Sequence, residues 1–304
     1  MAVYTSDLSG FLPDQVLTGM VEKTKTAGTI PALSAADPMR FGNVAVVEFD
    51  EDPAAEFVEE GGAKSSEDIK PTRAVAPPHK AVVTYRTSDE FLWADEDYQL
   101  GILDKFAEKG GRALGRALDL GAYFRLNPKT GTAITTWTNY LNATTNRVEI
   151  GTAGPELELE AAVGLLVGSG VAPTGIALTS GYAWNFTTER YTDGRKKYPD
   201  LGLGINVTSL EGLRASVSTT VQGKARDGDG TDNKVRAIVG DYNSGIRWGV
   251  QRNIPFQVIP YGDPDNTGRD LKGHNEVALR MEVVYAWYVF TDRFAVIEDA
   301  VAPV

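Results

Sequence analysis

The sequence has 304 residues, of which 42% are hydrophobic and none is cysteine. It can therefore bury a sizeable core but cannot form disulfide bonds, thiolate metal sites or thiol nucleophiles. Its formal net charge of −11 argues against tight binding of nucleic acid, which needs clustered Lys and Arg, although such a protein can still enclose nucleic acid. No leader of basic and then apolar residues opens the chain, and no apolar stretch approaches the roughly 20 residues of a membrane span. These features predict a protein made in the cytoplasm, without membrane contact.

The first 80 residues are predicted to project from the protein. Residues 1–40 read as an arm, with a short amphipathic helix over 13–25 and a glycine and prolines after it. Residues 41–49 (FGNVAVVEF) predict a strand, and residues 81–85 (AVVTY) are its expected antiparallel partner. About 30 residues rich in charge, Gly and Pro separate them, with nine acids against the single base Lys64 over 48–68. Such a loop is either disordered or held by another molecule.

A long helix is predicted next. Ser88 is expected to cap its N-terminus, and apolar residues at steps of three and four continue to about Phe124. Gly110 and Gly111 lie side by side in this helix, where each costs about 1 kcal/mol relative to alanine. We therefore expect a bend or a close helix contact at this pair.

Helices and strands then alternate. Pro155 begins a helix with one buried face, residues 175–179 predict a short buried strand, and Ser180 is expected to cap a helix that runs to about Tyr191. This alternation predicts an α/β layer domain. From Gly245 onward the residues alternate in period two, which predicts that the chain ends in strands or in a strand-helix pair.

Seven stretches carry a resemblance to a known family. They are AEFVEEGGAKSSEDIKPT, RALDLGAYFRLNPKTGTAI, VAPTGIALTSGYAWNF, TDGRKKYP, LGLGINVTS, GDYNSGIRWGVQRNIPFQVIPY and RMEVVYAWYVFTDRFAVIEDA. In their order and detail they resemble the extended loop, spine helix, axial domain and closing strands of the major capsid proteins of tailed bacteriophages, which have the Hong Kong 97-type fold. The resemblance covers residues 41–304 and lies in the succession of many short motifs.

The resemblance implies an α+β fold with four parts. They are an N-terminal arm at 1–40, an extended β loop at 41–80, a peripheral domain with the long spine helix at 81–145 and 265–304, and an axial α/β domain at 146–264. The extended loop and the arm are implied to lie across neighbouring subunits.

The implied function is that of a major capsid protein, which is a structural protein of the virion and not an enzyme. Copies of the chain would assemble in the host cytoplasm into hexamers and pentamers of an icosahedral shell around double-stranded DNA, without a cofactor. A portal protein is the other implied partner, and the resemblance leaves open whether the shell also uses a separate scaffolding protein or none, and whether it uses a decoration protein. Two alternatives stay open: an encapsulin-like nanocompartment shell and a soluble α/β enzyme, against which the missing GxSxG motif and the missing cysteines weigh.

Charge predicts how neighbouring subunits meet. The acidic loop is expected to dock on a basic surface of the next subunit, where charge pairs set the register and burial supplies the affinity. The candidate contact residues are Glu56, Glu59, Glu60 and Lys64 in the loop, and Arg112, Arg116, Arg125 and Lys129 near the end of the spine helix.

The resemblance adds two further roles. Gly110 and Gly111 become hinge candidates for the expansion of a precursor shell. Lys64 becomes a candidate for an isopeptide bond to an asparagine of a neighbouring subunit, with Asn266 and Asn275 as possible partners.

Three motifs invite a chemical interpretation. DGDGTDN at 227–233 begins like a calcium loop, but Ile238 stands at its twelfth position, where a bidentate Glu belongs. His79 and His274 have no second ligand at metal spacing, and LGLGIN at 201–206 lacks the helix and third glycine of a dinucleotide site. No catalytic, metal or cofactor site is therefore predicted.

Overall fold

The computed structural model describes residues 28–49, 55–66, 71–90, 96–152, 154–201, 207–225 and 230–300. Its strands are β1 (Val44–Phe49), β2 (Pro71–Ala76), β3 (Pro78–Ser88), β4 (Arg147–Ile150), β5 (Gly175–Leu178), β6 (Ser209–Leu210), β7 (Leu213–Val217), β8 (Val235–Gly240), β9 (Ile246–Ile259), β10 (Glu276–Val289) and β11 (Phe294–Asp299). Its helices are α1 (Thr29–Leu33), α2 (Glu96–Phe124), α3 (Pro155–Gly168) and α4 (Ser180–Thr188). This mixture of helices and sheets is the predicted α+β class.

The described strands form three sheets. β1 and β2 make an antiparallel hairpin, which we call the extended hairpin together with the loop 55–66 that lies between its strands in the chain. β3, β10 and β9 make an antiparallel sheet in that order, and β4-β11-β8-β5-β7-β6 make a mixed sheet. Almost every residue of the central strand β10 is buried, so this strand is the middle of the molecule.

Helix α2 packs on the β3-β10-β9 sheet and forms the main core. Leu103, Phe106, Leu114 and Leu118 recur at helical spacing and are buried in one cluster with Met281 of β10. The predicted apolar stripe is thus confirmed. At about 1.5 Å per residue, the 29 residues of α2 span about 44 Å.

Alternate residues of the mixed sheet enter two different cores. Ala177 and Ile238 belong to the cluster that contains α2, whereas Ile176 and Ala237 belong to a second cluster with α3 and α4. Period-two alternation of this kind is expected where both faces of a sheet are covered. Helix α3 and the fully buried strand β5 confirm the predicted α/β layer.

The strand partner predicted for the start of the extended loop is wrong. The predicted strand begins at Val44 and pairs with β2, whereas its expected partner, residues 81–85, lies in β3 and pairs with β10. Propensity identifies a strand but not its partner, which depends on burial. Ala81 and Val83 of β3 pack against the main core, whereas Val47 and Val75 of the extended hairpin are exposed.

The predicted start of the long helix lies partly outside the described residues. Ser88 is the last residue of β3, where it pairs with Glu276, and the long helix is described from Glu96 onward. The Ser88 hydroxyl accepts a hydrogen bond from the amide of Glu90 at 3.2 Å, and residues 89–90 form a short 3-10 turn. Ser88 therefore ends β3 and caps the turn that follows it, and its role as the cap of the long helix stays a prediction.

Two strands pair across the predicted domain boundaries. β9 falls in the predicted axial segment 146–264 but pairs with β10, and β11 falls in the predicted peripheral segment 265–304 but lies between β4 and β8. The division into axial and peripheral domains at 264 and 265 stays a prediction, although sheet pairing crosses it in both directions. The cause is two tight turns, at Asp241–Gly245 and Thr291–Arg293, which carry the chain from one sheet to the other.

The end of the predicted arm packs on its own subunit. Ile30 and Leu33 of α1 are buried in the main core, and Asp37 forms an ion pair with Arg247 of β9 at 2.7 Å. These apolar residues complete the subunit's own core, and the crossing of a neighbour by the arm stays a prediction. The helix predicted over 13–25 lies outside the described residues.

A close contact occupies the expected position at Gly110. A Cβ atom there would overlap the sulfur of Met281, so the glycine lets β10 approach the helix. Gly111 is buried beside it. The expected close contact is confirmed at Gly110, whereas the hinge role of the two glycines stays a prediction.

We predict opposite effects of two glycine-to-alanine changes on the thermal unfolding of the unassembled chain. Gly164→Ala in α3, where a Cβ atom would meet open space, should raise Tm because alanine is favoured by about 1 kcal/mol in a helix. Gly110→Ala should lower Tm, because overpacking against Met281 costs about 1–3 kcal/mol. If calorimetry finds the two variants equally stabilised, the contact at Gly110 is not tight.

Candidate intersubunit docking site

A groove of about 810 Å³ runs between the C-terminal half of α2 and strand β3. Its walls also include the segment that follows α2, from Leu126 to Trp137, and the loop that precedes β10. Apolar side chains such as Val82 and Ala117 line its middle. The combination of apolar lining and open access suits the docking of an extended segment of another molecule.

Charged side chains also line the groove, and most of them are cationic. Its charged lining residues are Lys80, Arg116, Lys129, Arg280 and Asp265. Lys80 and Lys129 are exposed, whereas Arg116 and Arg280 are half-buried. Four positive charges against one negative charge make this lining basic in a chain that is acidic overall, and we call it the basic groove.

Two of these cations are held by contacts within the subunit. The Lys80 ammonium lies 2.5 Å from a carboxylate oxygen of Glu282, which is almost fully buried. The Arg280 guanidinium donates to Thr84 Oγ1 at 3.2 Å and to the carbonyl oxygen of Pro264. These contacts fix the positions of the cations without covering the groove.

The structure brings together two of the four basic residues proposed from the sequence. Arg116 and Lys129 line the groove. Arg112 is exposed elsewhere on the helix and pairs with Glu108 at 2.7 Å. Arg125 is committed inside the subunit, because its guanidinium donates to the carbonyl oxygen of Trp137 at 3.3 Å and lies 4.5 Å from the centre of the Tyr140 ring.

Sequence reasoning missed Lys80 and Arg280. These two residues are 200 positions apart in the chain, and only the antiparallel pairing of β3 with β10 brings them to one surface. A basic residue in each of two alternating strands was the available signal. Without the pairing and its register, that signal does not indicate a shared site.

An aromatic cluster forms one end of the groove. The His79 ring lies 4.1 Å from the Trp137 ring and 4.2 Å from the Trp287 ring, measured between centroids. Burial lowers the pKa of His79 to about 4, so this side chain is neutral near pH 7. His274 lies elsewhere, with its ring Nδ1 2.9 Å from the carbonyl oxygen of Asp270, so the two histidines do not share a site.

A network of ion pairs holds the loop that edges the groove. Arg86 contacts the carboxylates of Asp263 at 2.6 Å, of Glu276 at 3.2 Å, and of Asp265. The neighbouring guanidinium lowers the pKa of Asp265 to about 2. Because Asp265 and Pro264 line the groove, Arg86 fixes this wall in place.

The extended hairpin carries the proposed acidic contacts. Every residue from 55 to 66 is exposed, including Glu56, Glu59, Glu60 and Lys64. The loop bends at a turn in which the amide of Gly62 donates to the carbonyl oxygen of Glu59 at 2.9 Å. The Ser65 amide donates to Glu56 Oε1 at 2.7 Å and lowers the pKa of Glu56.

Apolar side chains of the extended hairpin are exposed as well. Phe57 shows 108% of its reference surface to solvent, and Val47, Val58 and Val75 are each more than a third exposed. Large apolar residues in such positions mark surfaces that bind another molecule. The hairpin therefore offers both charge and apolar area for docking.

Other candidate chemistry finds no support in the described part of the chain. No group of His, Asp or Glu there is arranged to hold a metal ion. The DGDGTDN motif lies partly outside the described residues, and its Asp232 accepts hydrogen bonds from Arg236. None of the described helices has the length and apolarity needed to cross a membrane.

Solved structures that resemble this chain define its class. No protein-family model and no curated protein matches it. A chain from Mycobacterium phage Ogopogo is 40% identical with a TM-score of 0.79, and the match covers 90% of this chain and 92% of that one. A chain from Gordonia phage Cozz is 30% identical with a TM-score of 0.76, covering 90% and 86%. The capsid of a native GTA particle shares the fold at 15% identity, with a TM-score of 0.60 and 91% of both chains covered.

The fold, the projecting hairpin and these likenesses define a subunit of a phage capsid. The chain belongs to the major capsid proteins of tailed bacteriophages, with the Hong Kong 97-type fold. The family resemblance and the capsid role predicted from the sequence are thus confirmed, and neither the encapsulin-like shell nor the soluble enzyme is favoured.

We predict that His79 makes the folded chain sensitive to acid. Between pH 6.5 and about 4, the unfolded chain binds a proton at this residue and the folded chain does not. The free energy of unfolding therefore decreases as the pH is lowered through this window. His79→Phe keeps a ring between the two tryptophans and removes the titration. Urea unfolding at pH 7.5 and 4.5 should show a smaller loss for the variant than for the wild type, and equal losses would contradict the lowered pKa.

Proposed function

We propose that copies of this chain close into an icosahedral shell by docking the extended hairpin of one subunit in the basic groove of the next. One observation carries this proposal: residues 55–66 are entirely exposed on their own subunit, while a groove of opposite charge stands open on the same molecule. A surface and its complement on one chain produce head-to-tail contacts, which close into rings when the rotation between subunits allows it. Such rings would be the hexamers and pentamers of the shell.

Charge sets the register of the proposed contact. The acidic segment over 48–68 has nine acids and one base, and Glu56, Glu59 and Glu60 are its described and exposed acids. Exposed ion pairs contribute only about 0–1 kcal/mol each, so Arg116 and Lys129 would select the docked position without supplying most of the affinity.

Apolar burial supplies the affinity in this proposal. Burying an exposed aromatic or aliphatic side chain such as Phe57 or Val58 contributes about 1.5–3 kcal/mol. Because every subunit would make the same contact, small contributions repeat around the shell. Strands of six residues rise about 20 Å, which gives the hairpin the reach to leave its own subunit.

The remaining roles follow the family. We propose that the shell encloses the double-stranded DNA of a tailed phage, that it assembles in the host cytoplasm, and that the subunit performs no enzymatic reaction. The net charge of −11 suits a wall that must release DNA, because phosphate groups are not attracted to it. A portal protein, and separate scaffolding and decoration proteins, complete the proposed partners.

Two further roles implied by the family resemblance remain proposals. Gly110 and Gly111 would form the hinge for shell expansion, and Lys64 would be the position for a covalent link to Asn266 or Asn275. Lys64 is exposed in the loop, which leaves it accessible to a neighbour.

We predict that the purified chain forms closed particles. It should elute near the void volume in size-exclusion chromatography and show round shells by negative-stain electron microscopy. A chain that remains a monomer or small oligomer at high concentration, with or without a scaffolding protein, would contradict the proposed function.

We predict that reversing two charges in the basic groove prevents shell closure. Arg116→Glu with Lys129→Glu should reduce the yield of closed shells at least about tenfold, because repulsion then replaces attraction at every contact. The matched control is Lys105→Glu with Lys109→Glu, which makes the same charge change at exposed positions of the same helix. Particle counts by electron microscopy measure the effect.

A compensating change sharpens this test. Replacing Glu56, Glu59 and Glu60 by lysine should restore shells to the groove variant and block them in the wild-type background. Normal shells from the groove variant alone would refute docking at Arg116 and Lys129.

A further inference from the structure

Asp119 is a carboxylate buried at the centre of the molecule. Its side chain has no exposed surface, and its described hydrogen bonds all come from uncharged donors. Oδ2 accepts from the Thr29 amide at 2.7 Å, the Thr29 hydroxyl at 2.9 Å and the Thr220 hydroxyl at 2.6 Å, and Oδ1 accepts from the Ile30 amide at 3.0 Å. A buried carboxylate is costly unless such bonds satisfy it, so this arrangement calls for an explanation beyond packing.

The four donors come from two separate parts of the chain. Thr29 and Ile30 begin α1, at the end of the arm, whereas Thr220 lies in the 3-10 turn Thr219–Gln222 between β7 and β8 of the mixed sheet. Asp119 itself belongs to α2. One side chain therefore joins the arm, the spine helix and the axial part of the subunit.

Asp119 caps the N-terminus of α1. The first amides of a helix have no partner within it, and the N-cap residue Gly28 makes no side-chain cap. Asp119 accepts hydrogen bonds from two of these amides from a different helix. A Cβ atom at Gly28 would lie 2.8 Å from the carbonyl oxygen of Gly115, so the arm is pressed directly against α2 at this point.

A chain of hydroxyl groups extends the same connection. The Thr29 hydroxyl lies 2.8 Å from the Tyr123 hydroxyl, which lies 3.3 Å from the Tyr242 hydroxyl. The Tyr242 hydroxyl in turn donates to the carbonyl oxygen of Ile238 in β8 at 3.3 Å. Asp119 and Thr29 thus connect the arm to the mixed sheet through Thr220 and through the two tyrosines, in addition to the direct hydrogen bond from Arg214 of β7 to the carbonyl oxygen of Ala32 at 2.8 Å.

We propose that Asp119 is a latch that couples the position of the arm to that of the axial part of the subunit. A displacement of the axial part relative to α2 would pull Thr220 from the carboxylate and weaken its hold on the first turn of α1. The arm would then loosen at Thr29, next to the point where residues 1–27 join the described chain. This inference rests on the proposed function only for its use in the shell, since the latch itself belongs to the single subunit.

The test disturbs one side of the latch and measures the other side. Thr220→Val removes the axial hydroxyl without touching the arm. The matched control is Thr187→Val, which removes a hydroxyl that is equally buried in α4 and donates to the carbonyl oxygen of Ala183 at 2.9 Å, away from Asp119. Amide hydrogen exchange is then measured at Thr29 and Ile30 in the unassembled chain.

Coupling predicts that Thr220→Val speeds exchange at the Thr29 and Ile30 amides about tenfold, as expected for loss of one buried hydrogen bond. Thr187→Val should leave these amides at the wild-type rate, even if it lowers Tm by as much. Asp119→Asn should speed exchange at these two amides more than either threonine variant, because its side-chain NH2 group would face a backbone N–H donor. The test of coupling does not require this variant to fold. Equal rates in Thr220→Val and the control would overturn the latch, whereas failure of the wild type to form shells would overturn only the proposed function.

Discussion

The packing of α2 against β10 is the interaction on which the rest of the structure depends. Leu114 and Leu118 on the helix and Met281 on the strand lie in one core cluster, which also receives residues of α1 and of the mixed sheet. The glycine at 110 allows this approach. Because both elements are long, they form a rigid body from which the extended hairpin projects and on which the basic groove is formed.

This rigid body leaves two complementary surfaces unsatisfied. The loop of the extended hairpin is acidic, apolar at Phe57 and fully exposed, while the groove between α2 and β3 is basic and open. Both surfaces remain open on the single subunit, so another copy can add the burial and charge contacts that each one offers. Since the protein has no cysteine, such contacts are made by burial, charge and hydrogen bonds, with any covalent link formed by other side chains.

The sequence allowed prediction of the elements that local pattern determines. The apolar stripe of α2, the helix α3 and the long strands β9 and β10 follow from periodicity, and the order of motifs indicated the family. Local pattern did not predict that residues 81–85 pair with β10, or that β9 pairs with β10 while β11 lies in the mixed sheet. Strand pairing depends on burial in the folded core, which a local pattern does not contain.

The candidate site was predictable only in part. Arg116 and Lys129 were found because they lie near the end of a helix that could be recognised, whereas Lys80 and Arg280 required the register of two strands. Asp119 was missed, although a lone acid within the apolar run RALDLGAYF was a visible signal. Its partners lie 90 and 101 positions away in the chain, and no local pattern reveals them.

The central claim is that the extended hairpin of each subunit binds its neighbour, and this contact can be observed directly in the assembled particle. Electron cryomicroscopy of the closed shell should place residues 55–66 of each subunit in the basic groove of the adjacent one, with a loop carboxylate within about 4 Å of Arg116 or Lys129. A map in which the loop folds back on its own subunit, or in which the groove remains empty, would contradict this account.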